Sequence, residues 1–170
     1  LMEREGDLLL RIRFAKEIDP EHDVDDQIAA LREVKVRCDG SLFKVTGTKF
    51  FADGVVEGGT AFLHAPYAAK AGRESDENNA AVWGLGDLAS AYRAAQRAGF
   101  QSVTHAIGDA ATRRVLNALR LAGAARWRDA RPVITHLQVV RPQDIRRMRH
   151  LGVVASVQPF WHMKEPQWWN

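Results

Sequence analysis

The chain contains 170 residues, of which 46% are hydrophobic and 26% are charged, so it is long enough to bury the core of one ordinary domain. This composition is that of a globular protein and excludes intrinsic disorder and fibrous repeats. The 24 basic and 21 acidic residues give a formal net charge of +3, and this small, scattered excess argues against a nucleic-acid partner.

Cysteine content and hydrophobic runs indicate the compartment. Cys38 is the single cysteine, so an internal disulfide cannot form and a reducing, cytoplasmic location is expected. No apolar run approaches the ~18 residues of a membrane helix, and residues 1–7 are charged rather than signal-like, so no membrane partner is expected. The chain starts at Leu1 and ends in an aromatic stretch, as expected for a segment of a longer polypeptide.

The first part of the chain predicts two strands separated by a helix. Alternating apolar residues from Leu8 to Phe14 predict a strand, and apolar residues at helical spacing predict a helix from Asp25 to Val34. Residues Leu42 to Ala52 are rich in β-branched and aromatic side chains and predict a second strand, which ends at the breaker pair Asp53 and Gly54.

The second part of the chain repeats this alternation after a long loop over 54–82, which is expected to be functional because simple connections are shorter. The expected elements are a helix from 85 that stops at Gly99, a strand over 100–105, a helix over 110–122, a strand over 133–139, a helix from Pro142 with Ile145, Met148 and Leu151 facing inward, and a strand over 153–157.

Alternating strands and helices predict an α/β fold with a parallel sheet. Periodicity leaves open a doubly wound sheet or most of a (β/α)8 barrel, and the absence of a glycine-rich nucleotide motif after any strand favours the barrel.

Polar side chains at strand ends are the candidates for chemistry, because parallel α/β enzymes carry their sites there. Lys49 lies in the second strand, His105 ends the third and His136 lies in the fourth. Neighbouring strands are about 4.8 Å apart, so the two imidazoles could converge on one ion. On spacing alone, a single histidine at a strand end is more often a hydrogen-bonded structural residue than a ligand, and Lys49 has about even odds of pointing outward. The same bland interpretation favours a turn residue for Asp53 and a helix cap for Asp109.

Several motifs carry a resemblance to a known family. They are KFFADG (49–54), TAFLHAPY (60–67), HAIGDAA (105–111), ITHLQVVRPQDIRRM (134–148) and LGVVASVQPFW (151–161). In this order they resemble the amidohydrolase superfamily, and more narrowly its amidohydrolase 3 branch, the YtcJ-like and N-substituted formamide deformylase-like metal-dependent hydrolases. The match runs from about residue 8 to the end, and the combination of these motifs is far more specific than any one of them.

The resemblance implies that residues 1–170 are a single segment of a metal-bearing (β/α)8 TIM barrel, about strands 3 to 7, without the barrel ends or the small β-sandwich of the family. Family ligands come from a strand-1 HxH pair, a strand-4 lysine or acid, histidines on strands 5 and 6 and a strand-8 aspartate. Carried over by motif, Lys49, in a carboxylated form, His105 and His136 are metal ligands, with zinc expected and iron or manganese as alternatives. The chain contains no HxH pair and no strand-8 aspartate, and Thr135 stands where the family more often has Glu.

The implied activity of the full-length enzyme is hydrolysis of C–N bonds other than peptide bonds, in small amide or formamide substrates, by metal-activated water. The substrate-pocket candidates are Asp53, Tyr67, Asp109, Gln158 and Trp161. Trp161, Trp168 and Trp169 would form an apolar patch that favours a homo-oligomer. The rival interpretation is an incomplete, non-catalytic barrel with a structural or interaction role, because missing strands leave open sheet edges; on either view the 170-residue chain alone is expected to be inactive.

Overall fold

A computed structural model describes residues 2–67, 81–124 and 129–163. Its strands are β1 Ile12–Glu17, β2 Phe43–Phe51, β3 Gln101–Ala106, β4 Val133–His136 and β5 Val154–Ser156. Its helices are α1 Met2–Glu5, α2 Val24–Cys38, α3 Leu85–Arg97, α4 Asp109–Ala122 and α5 Pro142–Leu151, and a 3-10 turn, Pro159–His162, follows β5. Within the described ranges, none of the helices has the length and apolar character needed to cross a bilayer.

The five strands form one parallel sheet in the order β1-β2-β3-β4-β5, which confirms the predicted α/β class. A doubly wound sheet reverses its strand order at a switch point, whereas every described strand here pairs with its neighbour in sequence. This sequential order is that of a (β/α)8 barrel. The numbering of these strands as 3 to 7 of such a barrel stays a prediction.

The first strand begins later than the sequence pattern predicts. Leu10 and Phe14 of the predicted buried face are 70% and 38% exposed, so the predicted burial of alternate residues from Leu8 is wrong. Pairing begins only at Ile12, which donates its amide to the Leu42 carbonyl (2.9 Å) where β2 starts. Residues before Ile12 therefore have no partner strand along that edge within the described chain.

The inward face of α5 also differs from the prediction. Its buried residues are Asp144, Met148 and Leu151, whereas Ile145 is 58% exposed. Asp144 occupies the buried position because Arg113 of α4 and Arg147 bind its carboxylate at 2.9 and 3.0 Å. A paired carboxylate can thus take a place that a hydrophobicity pattern assigns to an apolar side chain.

The central strands present different side chains to the two faces of the sheet. Phe50 of β2 pairs in register with Thr104 of β3, and both contact Tyr92 of α3, the hydroxyl of which lies 2.8 Å from the Thr104 hydroxyl. Side chains alternate along a strand, so Lys49 and His105 lie on the opposite face, away from the helices. This alternation places the candidate site residues on one surface.

Candidate metal centre

The carboxyl ends of β2, β3 and β4 bring the three predicted ligands to one region. In the register of the sheet, His105 of β3 lies between Phe51 of β2 and Thr135 of β4. Lys49 precedes Phe51 by two residues and is therefore on the same face of β2. The rings of His105 and His136 are in edge-to-face contact, with centroids 4.7 Å apart and planes at 68°. The structure therefore places two imidazoles side by side where the sequence predicts them.

His136 reaches this contact through an unusual backbone conformation. In register it stands opposite Ala106, so continued strand geometry would turn it toward the helices with the buried Ile134. Instead, His136 and Leu137 have φ angles of 75° and 54°, in the left-handed region that residues other than glycine rarely adopt. Such strain costs on the order of 1–3 kcal/mol and clusters at functional sites. It ends β4 at His136, so the predicted extension of the strand to Val139 is wrong.

His105 is held by the main chain. Its Nε2 lies 2.8 Å from the carbonyl oxygen of Gly54 and 3.6 Å from Oδ1 of Asp53. The residue is only 5% exposed, and this burial lowers the pKa of the imidazole. The neutral ring, which is the form that binds metal ions, is therefore favoured at neutral pH.

His136 is held by side chains from the turn after β5. Its Nδ1 lies 2.8 Å from Oε1 of Gln158, and the indole of Trp161 stacks on its ring with centroids 4.5 Å apart and planes at 15°. Partial burial, together with the neighbouring His105, lowers the pKa of His136. Two of the predicted pocket residues thus contact a predicted ligand directly.

Lys49 lies on the same face as His105, beside a threonine hydroxyl. Its Nζ is 3.5 Å from Oγ1 of Thr135 and 4.6 Å from the centroid of the Phe51 ring. The Thr135 hydroxyl donates in turn to the Thr104 carbonyl at 3.3 Å. Burial lowers the pKa of Lys49, and the carboxylate of Glu17 on β1 opposes that shift only in part.

Asp53 joins two loops beside His105. Its Oδ1 accepts from the amide of Ile107 (3.0 Å), and its Oδ2 accepts from the amides of Gly108 (2.8 Å) and Phe62 (3.0 Å). Burial raises the pKa of Asp53 against these three hydrogen bonds, which favour the carboxylate. Both oxygens are engaged within the chain, and the contact fixes the loop that carries the Gly54 carbonyl.

Asp109 and Tyr67 also bond within the chain. Asp109 accepts from the His64 amide (2.9 Å) and the Arg141 guanidinium (2.7 Å). Burial would raise the pKa of Asp109, but these two donors outweigh it and hold the pKa below its usual value. Helix α4 begins at Asp109 with Gly108 as its N-cap, so the alternative that Asp109 caps the helix is wrong. The Tyr67 hydroxyl donates to the Ala61 carbonyl at 3.1 Å.

Part of the predicted site lies outside the described residues. This part comprises 68–80 of the long loop, together with Trp168 and Trp169. Sequence reasoning missed the Gly54 carbonyl and the Phe51 ring, which lies 5.2 Å from the His105 ring. A main-chain carbonyl has no side-chain signature, and Gly54 was predicted only as a strand breaker.

The donor set fits part of a metal site. Neither Nδ1 of His105 nor Nε2 of His136 has a hydrogen-bond partner among the described residues, so each ring offers one nitrogen to a ligand. Imidazole nitrogen is a preferred ligand of zinc and other transition metals. Within the described ranges, no group of three His, Cys, Asp or Glu side chains is placed to hold an ion. The described residues thus offer two imidazoles and one lysine, and a complete coordination shell needs ligands beyond these.

A model of the amidohydrolase family matches residues 2–169. The chain belongs to the amidohydrolase family. It is 30% identical over 129 residues to the putative amidohydrolase YtcJ of Bacillus subtilis, and 33% identical over 114 residues to the protein LONG AFTER FAR-RED 3 of Arabidopsis thaliana. These alignments cover 76% and 66% of this chain but 23% and 19% of the relatives, so the chain spans about a fifth to a quarter of their length.

Solved structures extend the likeness to three dimensions. The chain is similar to an uncharacterized metal-dependent hydrolase from Pyrococcus furiosus, with a TM-score of 0.74 and 27% identity, over 94% of this chain and 31% of that one. A second uncharacterized metal-dependent hydrolase, from Pyrococcus horikoshii OT3, gives a TM-score of 0.70 and 26% identity over 94% and 30%. Both neighbours are described as metal-dependent hydrolases, and the chain shares their fold over about a third of their length.

Proposed function

We propose that this chain supplies part of the metal centre of a hydrolase that cleaves C–N bonds other than peptide bonds in small amide or formamide substrates. His105 and His136 hold the ion, and Lys49 is the third ligand. The observation that carries the proposal is the contact between two imidazoles of lowered pKa at neighbouring strand ends, each with one nitrogen hydrogen-bonded. The likeness to metal-dependent hydrolases supports it.

The chain prepares its ligands by burial and hydrogen bonding. When bound, a divalent ion lowers the pKa of a coordinated water to about 7 and polarises a substrate carbonyl. Zinc is the ion that we propose, with iron and manganese as alternatives, since imidazole suits all these metals. His105 and His136 stay neutral because their pKa values are lowered, so neither ring needs to release a proton before it binds.

Lys49 becomes an oxygen ligand in this proposal by carboxylation. Its amine adds to carbon dioxide, a C–N bond forms, and one proton is released to leave a carbamate. Burial favours the unprotonated amine that this reaction requires. The intact mass of the metal-loaded protein tests the step: a carboxylated Lys49 is expected, and an unmodified mass would contradict it.

The substrate pocket is proposed to lie beside the His136 ring. Trp161 stacks on that ring while 37% of the residue stays exposed, so its indole can contact a bound substrate. Asp53, Tyr67, Asp109 and Gln158 are the other pocket candidates of this proposal. A cytoplasmic location, a homo-oligomer and a single barrel segment over residues 1–170 stay predictions.

A structural or interaction role is the second candidate function, and exposed apolar residues near the sheet edges favour it. Leu9 and Leu10 precede β1, and Val157 and Phe160, 51% and 71% exposed, follow β5. Exposed apolar residues of this kind are often buried when a second polypeptide packs against them. On this view the chain packs against a partner and its histidines do no chemistry.

Hydrolysis of an amide and formamide panel by the full-length protein separates the two candidates. His105→Ala and His136→Ala should each abolish metal-dependent hydrolysis, because each removes one ligand. His22→Ala is the matched control, since the side chain of His22 is 71% exposed and, within the described ranges, bonds to Asp19 of the same loop alone. Unchanged activity in both site variants would overturn the proposal.

A further inference from the structure

The two imidazoles are hydrogen-bonded through different ring nitrogens. His105 uses Nε2 toward the Gly54 carbonyl, and His136 uses Nδ1 toward Gln158. A carbonyl oxygen carries no proton and only accepts, so Nε2 of His105 must be the protonated nitrogen. The tautomer of His105 is therefore decided by the main chain.

The tautomer of His136 depends on which end of the Gln158 amide faces it. The Nε2 amide group of Gln158 donates to the Ser156 carbonyl at 3.2 Å, and that carbonyl can only accept. The amide orientation is thus set by the main chain of β5, and it turns Oε1 toward His136. Nδ1 of His136 must then donate, and the lone pair of the ring lies on Nε2.

We propose that Gln158 is a positioning residue that holds His136 in the tautomer with the proton on Nδ1 and the metal-binding lone pair on Nε2. The metal-binding part of this inference rests on the proposed function. Histidines that bind metal ions commonly donate their other ring N–H to an oxygen acceptor, which fixes the tautomer and the ring orientation. Gln158 is the acceptor for His136, as the Gly54 carbonyl is for His105.

The turn after β5 acts with Gln158 as one unit. Trp161 donates its amide to the Gln158 carbonyl at 2.9 Å and stacks its indole on the His136 ring. Nε2 of His162 lies 3.2 Å from the His136 carbonyl oxygen. The ring plane and the backbone of His136 are thus both contacted from 158–162, and the glutamine amide selects the protonated nitrogen.

Packing does not account for a glutamine at position 158. The residue is half-buried and does not belong to the buried hydrophobic core. Its amide makes two directed hydrogen bonds, one to Ser156 and one to His136, which an apolar side chain of similar length could not make. Both bonds therefore serve the orientation of one imidazole.

The test is nitrogen-15 NMR of the histidine rings in the metal-free chain at a pH of about 8.5, two units above the ordinary imidazole pKa of about 6.5. Long-range nitrogen–proton correlations identify the protonated nitrogen of each ring. The wild-type chain should show Nδ1–H for His136 and Nε2–H for His105. A wild-type His136 protonated on Nε2 would overturn the inference.

Two substitutions at position 158 separate the hydrogen bond from the shape of the side chain. Gln158→Met keeps the length but removes the acceptor, so His136 should show both tautomers while His105 stays unchanged. Gln158→Glu keeps an accepting oxygen and should keep Nδ1–H. The matched control is Gln101→Met, because Gln101 donates its amide to the Arg131 carbonyl at 2.8 Å, at the other end of β3.

A zinc titration of the full-length protein, which carries the remaining ligands of the proposed site, distinguishes failure of this inference from failure of the proposed function. If Gln158 positions a ligand, Gln158→Met should weaken zinc binding by about 10- to 100-fold, whereas Gln101→Met should not. Zinc binding that is as tight in Gln158→Met as in wild type would overturn the positioning role and leave the metal proposal intact. If the wild-type protein shows the predicted tautomers but binds no zinc, the role of Gln158 in fixing the tautomer stands and the metal proposal is overturned. Thermal denaturation confirms that both variants fold.

Discussion

His105 on β3 and His136 on β4 contact each other, yet the chain holds the two rings by different means. His105 is 5% exposed and bonds to the carbonyl of Gly54, which lies in a loop fixed by Asp53. His136 has a left-handed backbone, bonds to a glutamine side chain and stacks on a half-exposed tryptophan. One side of the site is therefore built from main chain and the other from side chains.

This difference predicts how each side responds to substitution. A main-chain acceptor can be displaced only if the backbone moves, so changes on the β3 side should reduce the stability of the fold. A side-chain acceptor can be removed alone, so changes on the β4 side should alter the site and leave the fold intact. The predictions below concern the β3 side, where the effects on stability are expected to be large.

The largest effect is expected from Asp53→Ala. This change leaves the amides of Phe62, Ile107 and Gly108 without their acceptor, and each unpaired buried group costs about 1–3 kcal/mol. Two of these amides, those of Ile107 and Gly108, are buried, so the free energy of unfolding, measured by urea denaturation, should fall by at least about 2 kcal/mol. Asp7→Ala, at an exposed position, is the control and should change it by less than about 0.5 kcal/mol. Equal stability of the two variants would show that Asp53 does not fix these loops.

A smaller loss is expected from Gly54→Ala. An added Cβ would overlap the Thr60 side chain, so the loop that presents the Gly54 carbonyl must shift. Such overpacking costs about 1–3 kcal/mol in the free energy of unfolding. Gly86→Ala in α3 is the matched control, because a Cβ there meets nothing within 4 Å and should stabilise the helix by about 0.5–1 kcal/mol. The free energy of unfolding should therefore fall in Gly54→Ala and rise in Gly86→Ala. A rise in Gly54→Ala would contradict the account.

The pH dependence of stability should report the burial of His105. Its folded pKa is lowered, so below about pH 6.5 the unfolded chain binds a proton that the folded chain does not. The free energy of unfolding should therefore fall as the pH falls from about 6.5 toward the folded pKa, by up to about 1.4 kcal/mol per pH unit, and should not depend on this group above pH 6.5.

Urea denaturation of wild type and His105→Asn between pH 8 and pH 5 measures this contribution. Carboxylates titrate in both proteins, so the difference between the two slopes isolates His105. The same slope in His105→Asn as in wild type would show that His105 is not held neutral in the folded chain.

Much of the fold follows from local signals in the sequence. Helix α4 ends before Gly123 and α5 before Gly152, and both glycines adopt the left-handed conformation that suits a residue without Cβ. The start of β1 and the end of β4 could not be predicted in the same way. The first depends on where a partner strand begins, and the second depends on the left-handed backbone of His136.

The candidate site divides along the same line. Lys49, His105 and His136 could be named from the sequence because Lys49 is a charged residue within an apolar strand and the two histidines are polar residues at the ends of such strands. Their acceptors could not be assigned from sequence, since the bond from His105 to Gly54 spans 51 residues and the acceptor is main chain. The sequence makes Gln158 a candidate for the pocket, and its contact across 22 residues shows that it faces His136.

The central claim is that His105 and His136 hold a metal ion together. The most direct measurement is a zinc titration of the metal-free full-length protein and its His105→Asn, His136→Asn and His22→Asn variants, followed by competition with a chromophoric chelator. The account predicts saturable zinc binding by wild type and by His22→Asn, and loss of that binding in each of the other two variants. Wild-type binding in either His105→Asn or His136→Asn would contradict it.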